Sequence, residues 1–270
     1  LMKIALDAMG GDFAPRSPVR GTLKFLENSS SNVEVILVGD KNILNQELGK
    51  SIPNGIRIHH TTQVVNMHDH ASKAIKSKPD SSIVQGINLV KDGVADAFVS
   101  AGHTGAIMAT SLLTLGRIEN LRRPALAAYI PTPKGGKILC DVGANPDARP
   151  EHMLQFAIMA STYFDHVEGK NKPKIALVNI GTEPSKGSEL YQEAHKLLKK
   201  ELRNDFIGNV EGRHLLDSQA DVLVCDGFVG NTILKFAESW VNIFIKQLNR
   251  QITHKRYYQM TARILEPVFS

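Results

Sequence analysis

The sequence predicts an α/β fold built on a mostly parallel sheet, and three features of its 270 residues lead there. Short apolar runs rich in β-branched residues alternate along the chain with segments of helical periodicity. Five of these runs end alike, in glycine and small polar residues that lead into a helical pattern. No low-complexity linker or internal repeat interrupts the alternation. Strands that feed helices through glycine turns build parallel sheets, and ligands bind such sheets at the carboxyl ends of the strands.

The first strand, near residues 3 to 8, runs into Asp7-Ala8-Met9-Gly10-Gly11-Asp12, which places two carboxylates and a glycine pair at its end. Glycines there let the backbone pass close to a ligand, and the same residues equally suit a tight turn, with Ser17-Pro18 opening the next helix. Strands follow near 33 to 39 and 56 to 60. Thr61 to Asp80 is polar and rich in His and Lys, a candidate flap beside the site or a solvated loop. The strand at 96 to 101 leads through Ser100-Ala101-Gly102-His103-Thr104-Gly105 into a helix over Gly105 to Arg117. Strands at 125 to 130 and 137 to 142 come next, the second passing through Asp141-Val142-Gly143-Ala144-Asn145 towards a helix over Glu151 to Tyr163. The strand at 174 to 180 ends in Gly181-Thr182-Glu183-Pro184-Ser185-Lys186-Gly187, ahead of a helix over Gly187 to Glu201. After a strand at 206 to 210, the strand at 222 to 226 leads through Asp226-Gly227-Phe228-Val229-Gly230 into a helix over Asn231 to Gln251. Thr104, Pro150, Ser185 and Asn231 read as the residues that open helices. In the last helix Ile233, Ala237, Val241, Phe244, Leu248 and Ile252 recur every three or four residues, a core-facing stripe.

Composition narrows the function classes. With 42% hydrophobic residues the chain can bury one large core or two modest ones. Its two cysteines, Cys140 and Cys225, lie in apolar strand runs, the setting of buried reduced thiols, which fits a reducing cytoplasm. There is no run of eighteen apolar residues and no signal peptide, so nothing is predicted to span a membrane. The formal charge is +5, and from Trp240 to Ser270 Lys246, Arg250, Lys255, Arg256 and Arg263 face the single acid Glu266. These residues interleave with Trp240, Phe244, Leu248 and Ile252, the make-up of a basic amphipathic helical region over 240 to 270. Such a helix could lie on an anionic bilayer, dock an acidic protein or merely be solvated. Nucleic acid is the weaker partner, because no zinc finger, helix-turn-helix or aromatic RNA-binding signature accompanies the charge.

The chemistry follows by elimination and by charge. No Gly-x-Ser-x-Gly, Gly-x-Gly-x-x-Gly or Walker motif is present, so serine hydrolases, ordinary dinucleotide enzymes and P-loop NTPases lose their primary signals. His59 and His60 sit at a strand end, and His68 and His70 in a polar loop, without a Cys or Glu frame, so no metal site is predicted. What the strand ends offer is helix N-termini and glycine-exposed amides, with Lys186 and Arg149 near in sequence. Such a surface attracts phosphate.

Five motifs carry a resemblance to a known family. Asp7 to Asp12 (DAMGGD), Ser100 to Gly105 (SAGHTG), Asp141 to Asn145 (DVGAN), Asn179 to Gly187 (NIGTE, then KG) and Asp226 to Asn231 (DGFVGN) together resemble the phosphate acyltransferases of bacterial phospholipid synthesis, the PlsX family. The resemblance covers residues 2 to 240, and its one departure is His103, where the family usually has asparagine. The family continues beyond the position of Ser270, so a single α/β domain over 1 to 270 is expected to lack its C-terminal segment. The resemblance implies a three-layer α/β/α sandwich, mostly parallel and isocitrate/isopropylmalate dehydrogenase-like, and a homodimer formed through helices and a β-arm.

It also implies an activity, the passing of a long-chain acyl group from acyl carrier protein to inorganic phosphate. A membrane glycerol-3-phosphate acyltransferase uses the product. The implied catalytic pair is Lys186 and Asn231, the lysine neutralising phosphate or oxyanion, the asparagine donating to the same charge while opening its helix; solvation and capping alone are the alternatives. Asp7, Asp12, Asp141 and Asp226 could orient the lysine or the phosphopantetheine arm, or cap turns. Gly10, Gly11, Gly102, His103, Thr104, Gly105, Asn145, Gly181, Thr182, Glu183 and Gly230 complete the expected substrate-binding set, and Lys246, Arg250, Lys255 and Arg256 the docking set. No cofactor is expected beyond phosphate and the pantetheine arm as substrates. The alternatives are a phosphotransacetylase-like transferase using acyl-CoA and a non-catalytic carrier-binding or membrane-docking protein. The expected location is the cytoplasm with peripheral membrane contact.

Overall fold

The structure is a computed structural model that describes residues 1–28, 32–49, 51–133 and 135–253. The chain divides into two compact units, Leu1–Asn120 and Leu121–Ser270. In the first unit, β1 (Met2–Asp7), β2 (Val33–Gly39), β3 (Ile56–His60) and β4 (Ala97–Val99) form a parallel sheet in the order β3-β2-β1-β4. Successive side chains of β2 point to opposite faces, as strand geometry demands. Val35 and Leu37 pack with Val19 of α1 (Arg16–Asn28) and Leu44 of α2 (Lys41–Leu48), whereas Ile36 and Val38 pack with Leu89 of α4 (Ser82–Lys91). A strand apolar on both faces needs helices on both, and this one has them.

The polar stretch at 61 to 80 departs from expectation. It holds a helix, α3 (Ala71–Ser77), and contributes Val65 and Ala74 to a core with Ile83, Ile87 and Ala106 of α5 (Thr104–Thr114). Asp80 accepts from the Thr62 amide and hydroxyl, and Lys78 reaches the Val64 carbonyl and Asp69. These bonds make it a fastened part of the unit rather than a flap or solvated loop.

In the second unit, β5 (Ala127–Thr132), β6 (Gly135–Cys140), β7 (Ile175–Asn179), β8 (Phe206–Glu211) and β9 (Val222–Val224) take the order β5-β6-β9-β7-β8. All pairs are parallel except β5 with β6. One face is covered by α6 (Pro150–Glu168) and α7 (Glu189–Glu201) through Met153, Phe156, Ala194 and Leu198. The other receives Val229, Ile233 and Leu234 of α8 (Gly227–Thr253). Cys140 and Cys225 are buried free thiols on this sheet, and burial pushes both well above the usual thiol range.

Of the expected core-facing stripe of α8, Ile233 packs against the sheet, whereas Ala237, Val241 and Phe244 are exposed. Phe236, Trp240, Val241, Ile243, Phe244 and Ile245 are exposed, with Trp240 stacked on Phe244 at 5.5 Å between ring centres. Among the described residues no helix is long and apolar enough to cross a membrane. Lys246 and Arg250 lie on the exposed part; Lys255 and Arg256 lie outside the described residues.

The start of α6 carries a pH prediction. His152, 5% exposed, accepts through Nδ1 from the Arg149 amide at 3.1 Å. Burial, and then the charges of Arg123 and Arg149, hold its pKa below the ordinary value. The unfolded chain therefore binds this proton more readily than the folded one, so stability is complete above the unfolded value near about 6.5 and declines as pH falls below it, until the folded His152 titrates. His152→Gln keeps an acceptor at the same helical position. Urea midpoints between about pH 7.5 and 5.5 should fall less steeply for the variant; equal slopes would remove His152 as the cause.

Candidate active site

Each unit brings its glycine turns to the carboxyl edge of its sheet. In the first, β1 and β4 are hydrogen-bonded neighbours, so their turns emerge side by side. Asp7, 1% exposed, accepts from the Met9 amide at 3.0 Å and the Ser100 hydroxyl at 2.7 Å, while Ser100 Oγ accepts from the Gly102 amide at 2.9 Å. A Cβ on Gly10 would overlap the Asp7 carboxylate and crowd Gly102, so the glycine is required by close approach of two backbones. Gly10, Gly11 and the exposed Asp12 line a cavity of about 350 Å³ with Phe13 and Val99.

His103 sits at the N-cap of α5, ahead of Thr104 and Gly105. Its Nδ1 accepts from the Ala106 amide at 3.2 Å, which leaves Nε2–H to donate to the Asp69 carbonyl at 3.0 Å. An imidazole thus does the capping that asparagine does by preference. His103→Asn should keep the cap, lose the Asp69 link and change stability by less than about 1 kcal/mol. A larger fall in the urea midpoint would make the Asp69 bond the more important of the two.

In the second unit three adjacent parallel strands, β6, β9 and β7, deliver three turns to one edge. Asp141 is fully buried and accepts five bonds. Oδ1 takes the amides of Leu126, Gly143 and Ala144, and Oδ2 takes the Asn145 amide at 2.7 Å and its side-chain nitrogen at 2.8 Å. Asp226 accepts through Oδ1 from the amides of Phe228 and Val229, and through Oδ2 from the Tyr191 hydroxyl at 2.6 Å. Burial and the Asp226 carboxylate push the Tyr191 phenol well above its usual range. Asp7, Asp141 and Asp226 each fasten the turn that follows their own strand.

Asp226 is also the cap of α8, which corrects the reading of Asn231 as the helix opener. The helix begins at Gly227, and Asn231 lies one turn inside it, beside Gly143. A Cβ on Gly230 would overlap the Asp141 carbonyl oxygen, so this glycine lets the first turn of α8 press against the β6 turn. Ser185 likewise does not open α7, whose N-cap is Ser188.

Lys186 lies in the turn after β7 with its side chain 47% exposed. Its stem passes over Gly181, its ammonium stands 3.9 Å from Glu183, and its carbonyl accepts from Asn179 Nδ2 at 3.1 Å. The Glu183 carbonyl accepts from Asn209, whose side-chain oxygen is bonded to His195, so the turn is held from β8 and α7 as well. Thr182 is exposed in it. The sheet edge thus presents a held, half-exposed cation at one strand end and a primary amide at the next. Among the described residues no cluster of His, Cys, Asp and Glu could hold a metal. Sequence reasoning missed Ser100, which its motif contains, and Tyr191, for which the sequence has no signal.

A parallel α/β scaffold with glycine turns gathered at its strand ends defines a class, and solved structures share it. The chain is similar to EutD phosphotransacetylase from Staphylococcus aureus, with a TM-score of 0.61, 19% identity, and coverage of 89% of this chain and 82% of that one. It is also similar to a branched-chain phosphotransacylase from Enterococcus faecalis, with a TM-score of 0.55 and 16% identity over 87% and 83% of the two chains. A family model described as "Fatty acid synthesis protein" matches residues 2–270. The phosphate acyltransferase of Desulfitobacterium hafniense is 48% identical over 98% of this chain and 79% of its own length, and that of Moorella thermoacetica 48% over 98% and 78%. The chain belongs to this family, the PlsX phosphate acyltransferases.

Proposed function

We propose that the protein transfers a long-chain fatty acyl group from acyl carrier protein to inorganic phosphate, giving acyl phosphate for phospholipid synthesis. The observation that carries the proposal is the adjacency of β7 and β9, from which the turn that holds Lys186 and the helix that holds Asn231 leave one sheet edge side by side. A phosphate oxygen attacks the thioester carbonyl carbon, the C–O bond forms and the C–S bond breaks. The thiolate leaves with the bonding pair and takes a proton from solvent. Lys186 neutralises charge on phosphate or on the oxyanion, and the Asn231 amide donates to it. No cofactor enters this scheme.

Within the same reading the fold is of the isocitrate dehydrogenase-like kind, and the protein is a cytoplasmic homodimer that touches the membrane peripherally. Its partners are acyl carrier protein and the membrane glycerol-3-phosphate acyltransferase. The support is α8, whose exposed aromatic and aliphatic side chains carry Lys246 and Arg250 among them. Exposed apolar surface of this extent marks an interaction site. Reversing Arg250, Lys255 and Arg256 to Glu should raise the KM for acyl carrier protein or abolish co-sedimentation with anionic vesicles, with an effect that shrinks as salt shortens the screening length of about 8 Å. Unchanged KM and vesicle binding at low salt would leave α8 to the dimer alone.

The function is tested by thiol release from palmitoyl-acyl carrier protein and palmitoyl-CoA with and without phosphate. Phosphate-dependent release from the carrier thioester at the higher kcat/KM is expected. Preference for CoA would make this a phosphotransacetylase-like enzyme, and release that ignores phosphate would overturn acyl transfer to it.

A further inference from the structure

The second unit contains a cavity of about 480 Å³ that the scheme above leaves unused. Its wall includes Val178, Ile180, Tyr191, Gly212, Val229 and Ile233, and also Gly187, the residue after Lys186. This volume lies in the ordinary range of about 300 to 1,000 Å³ for small-molecule sites. We propose that the cavity holds the alkyl chain of the acyl donor and so measures chain length. The inference rests on the acyl-transfer reading of the same edge.

Three features of the wall choose an alkyl chain over the polar pantetheine arm. No lining side chain is charged. Two of the three polar side chains in the wall already have partners within the protein: the Tyr191 hydroxyl is bonded to Asp226, and the Asn179 amide bridges the Ile180 amide and the Lys186 carbonyl; the Ser188 hydroxyl is the third. A pantetheine arm has two amides that need hydrogen bonds, whereas a hydrocarbon gains about fourfold in affinity for each methylene taken from water. Finally, Val229 and Ile233 stand one turn apart on α8 and face the cavity together, while Asn231, between them in sequence, sits by Gly143. The helix thus turns its apolar side to the chain and its amide side to the β6 turn. The cavity of the first unit is a poorer fit, because Asp7 and Asp12 are in its wall.

Gly212 supplies the test. A Cβ there meets nothing within 4 Å, so a side chain can start from this wall position without a clash at its first atom. Gly212→Phe should lower the ratio of kcat/KM for palmitoyl- over butyryl-acyl carrier protein by about tenfold or more, the discrimination that small volume changes in apolar pockets produce. Ile180→Asp, at a position 81% exposed and so tolerant of a charge, should move the ratio the same way. Equilibrium dialysis of palmitate adds a readout independent of turnover, with binding to the wild type and weaker binding to both variants. An active wild type whose ratio and palmitate binding are unchanged in both folded variants would overturn the cavity assignment. A wild type that makes no acyl phosphate yet binds palmitate in a Gly212-sensitive way would instead overturn the acyl-transfer reading and keep the cavity.

Discussion

Lys186→Ala is expected to lower kcat by on the order of a hundredfold or more while the protein melts as the wild type does. Removing one preorganised donor from a developing oxyanion or phosphoryl charge raises the barrier by about 3 to 4 kcal/mol. Lys186 is half-exposed and Glu183, its ion-pair partner at 3.9 Å among the described residues, is also exposed, so its loss disturbs little of the fold. Asn231→Ala is the companion measurement. Because the Asp226 carboxylate caps α8, the asparagine is not needed to begin the helix, and its replacement should reduce turnover without the loss of about 1 kcal/mol that removal of a cap brings. Folded Lys186→Ala protein with near-normal kcat at saturating phosphate would remove the lysine from the mechanism. If Asn231→Ala is fully active, the amide has no part in it.

The largest effect on stability is expected at Asp141. Asp141→Ala leaves the amides of Leu126, Gly143, Ala144 and Asn145, and the Asn145 side chain, without the fully buried carboxylate that accepts from them. Breaking a buried charged network of this kind costs about 3 to 5 kcal/mol, a large share of the stability of an ordinary domain. Asp141→Asn should fall between, since one oxygen still accepts while the new amide meets the Asn145 donors head-on. Urea midpoints for the three proteins order the effect. A midpoint for Asp141→Ala close to the wild type would mean that water replaces the carboxylate, whose place would then be far less buried than the structure has it.

Much of the scaffold was legible because its strands are continuous apolar runs. Within β2, Val35 to Val38 are hydrophobic on both faces and read as a buried strand. What the sequence obscured were positions where one polar side chain competes with another for a backbone. Asn231 reads as a helix opener because asparagine is a favoured cap, yet Asp226, five residues earlier, has the carboxylate that reaches the Phe228 and Val229 amides. Ser100 cuts β4 short by turning its hydroxyl to Asp7 across the sheet edge. At 61 to 80 the histidines and lysines hide Val65 and Ala74, two small apolar residues that hold the segment to α4 and α5.

The site was legible as motifs, not as geometry. Strand-end glycines marked the edge, and turn-capping was one of two readings open for Asp7, Asp141 and Asp226; their bonds to the turn amides favour it. Tyr191 is the clearest case, since only the fold brings a helix residue to a carboxylate 35 positions away. For α8 the helical period was readable and the face it turns to its surroundings was not. Trp240 and Phe244 recur as core residues do and lie exposed.

The central claim is that an acyl group passes from a carrier thioester to inorganic phosphate at this edge. The most direct measurement is phosphorus NMR of the protein with palmitoyl-acyl carrier protein and phosphate, read beside titration of the free carrier thiol. Growth of an acyl phosphate resonance in equal stoichiometry with the thiol, strongly slowed in Lys186→Ala, is the predicted result. Thiol released with no new phosphorus resonance would show hydrolysis of the donor by water and contradict the account.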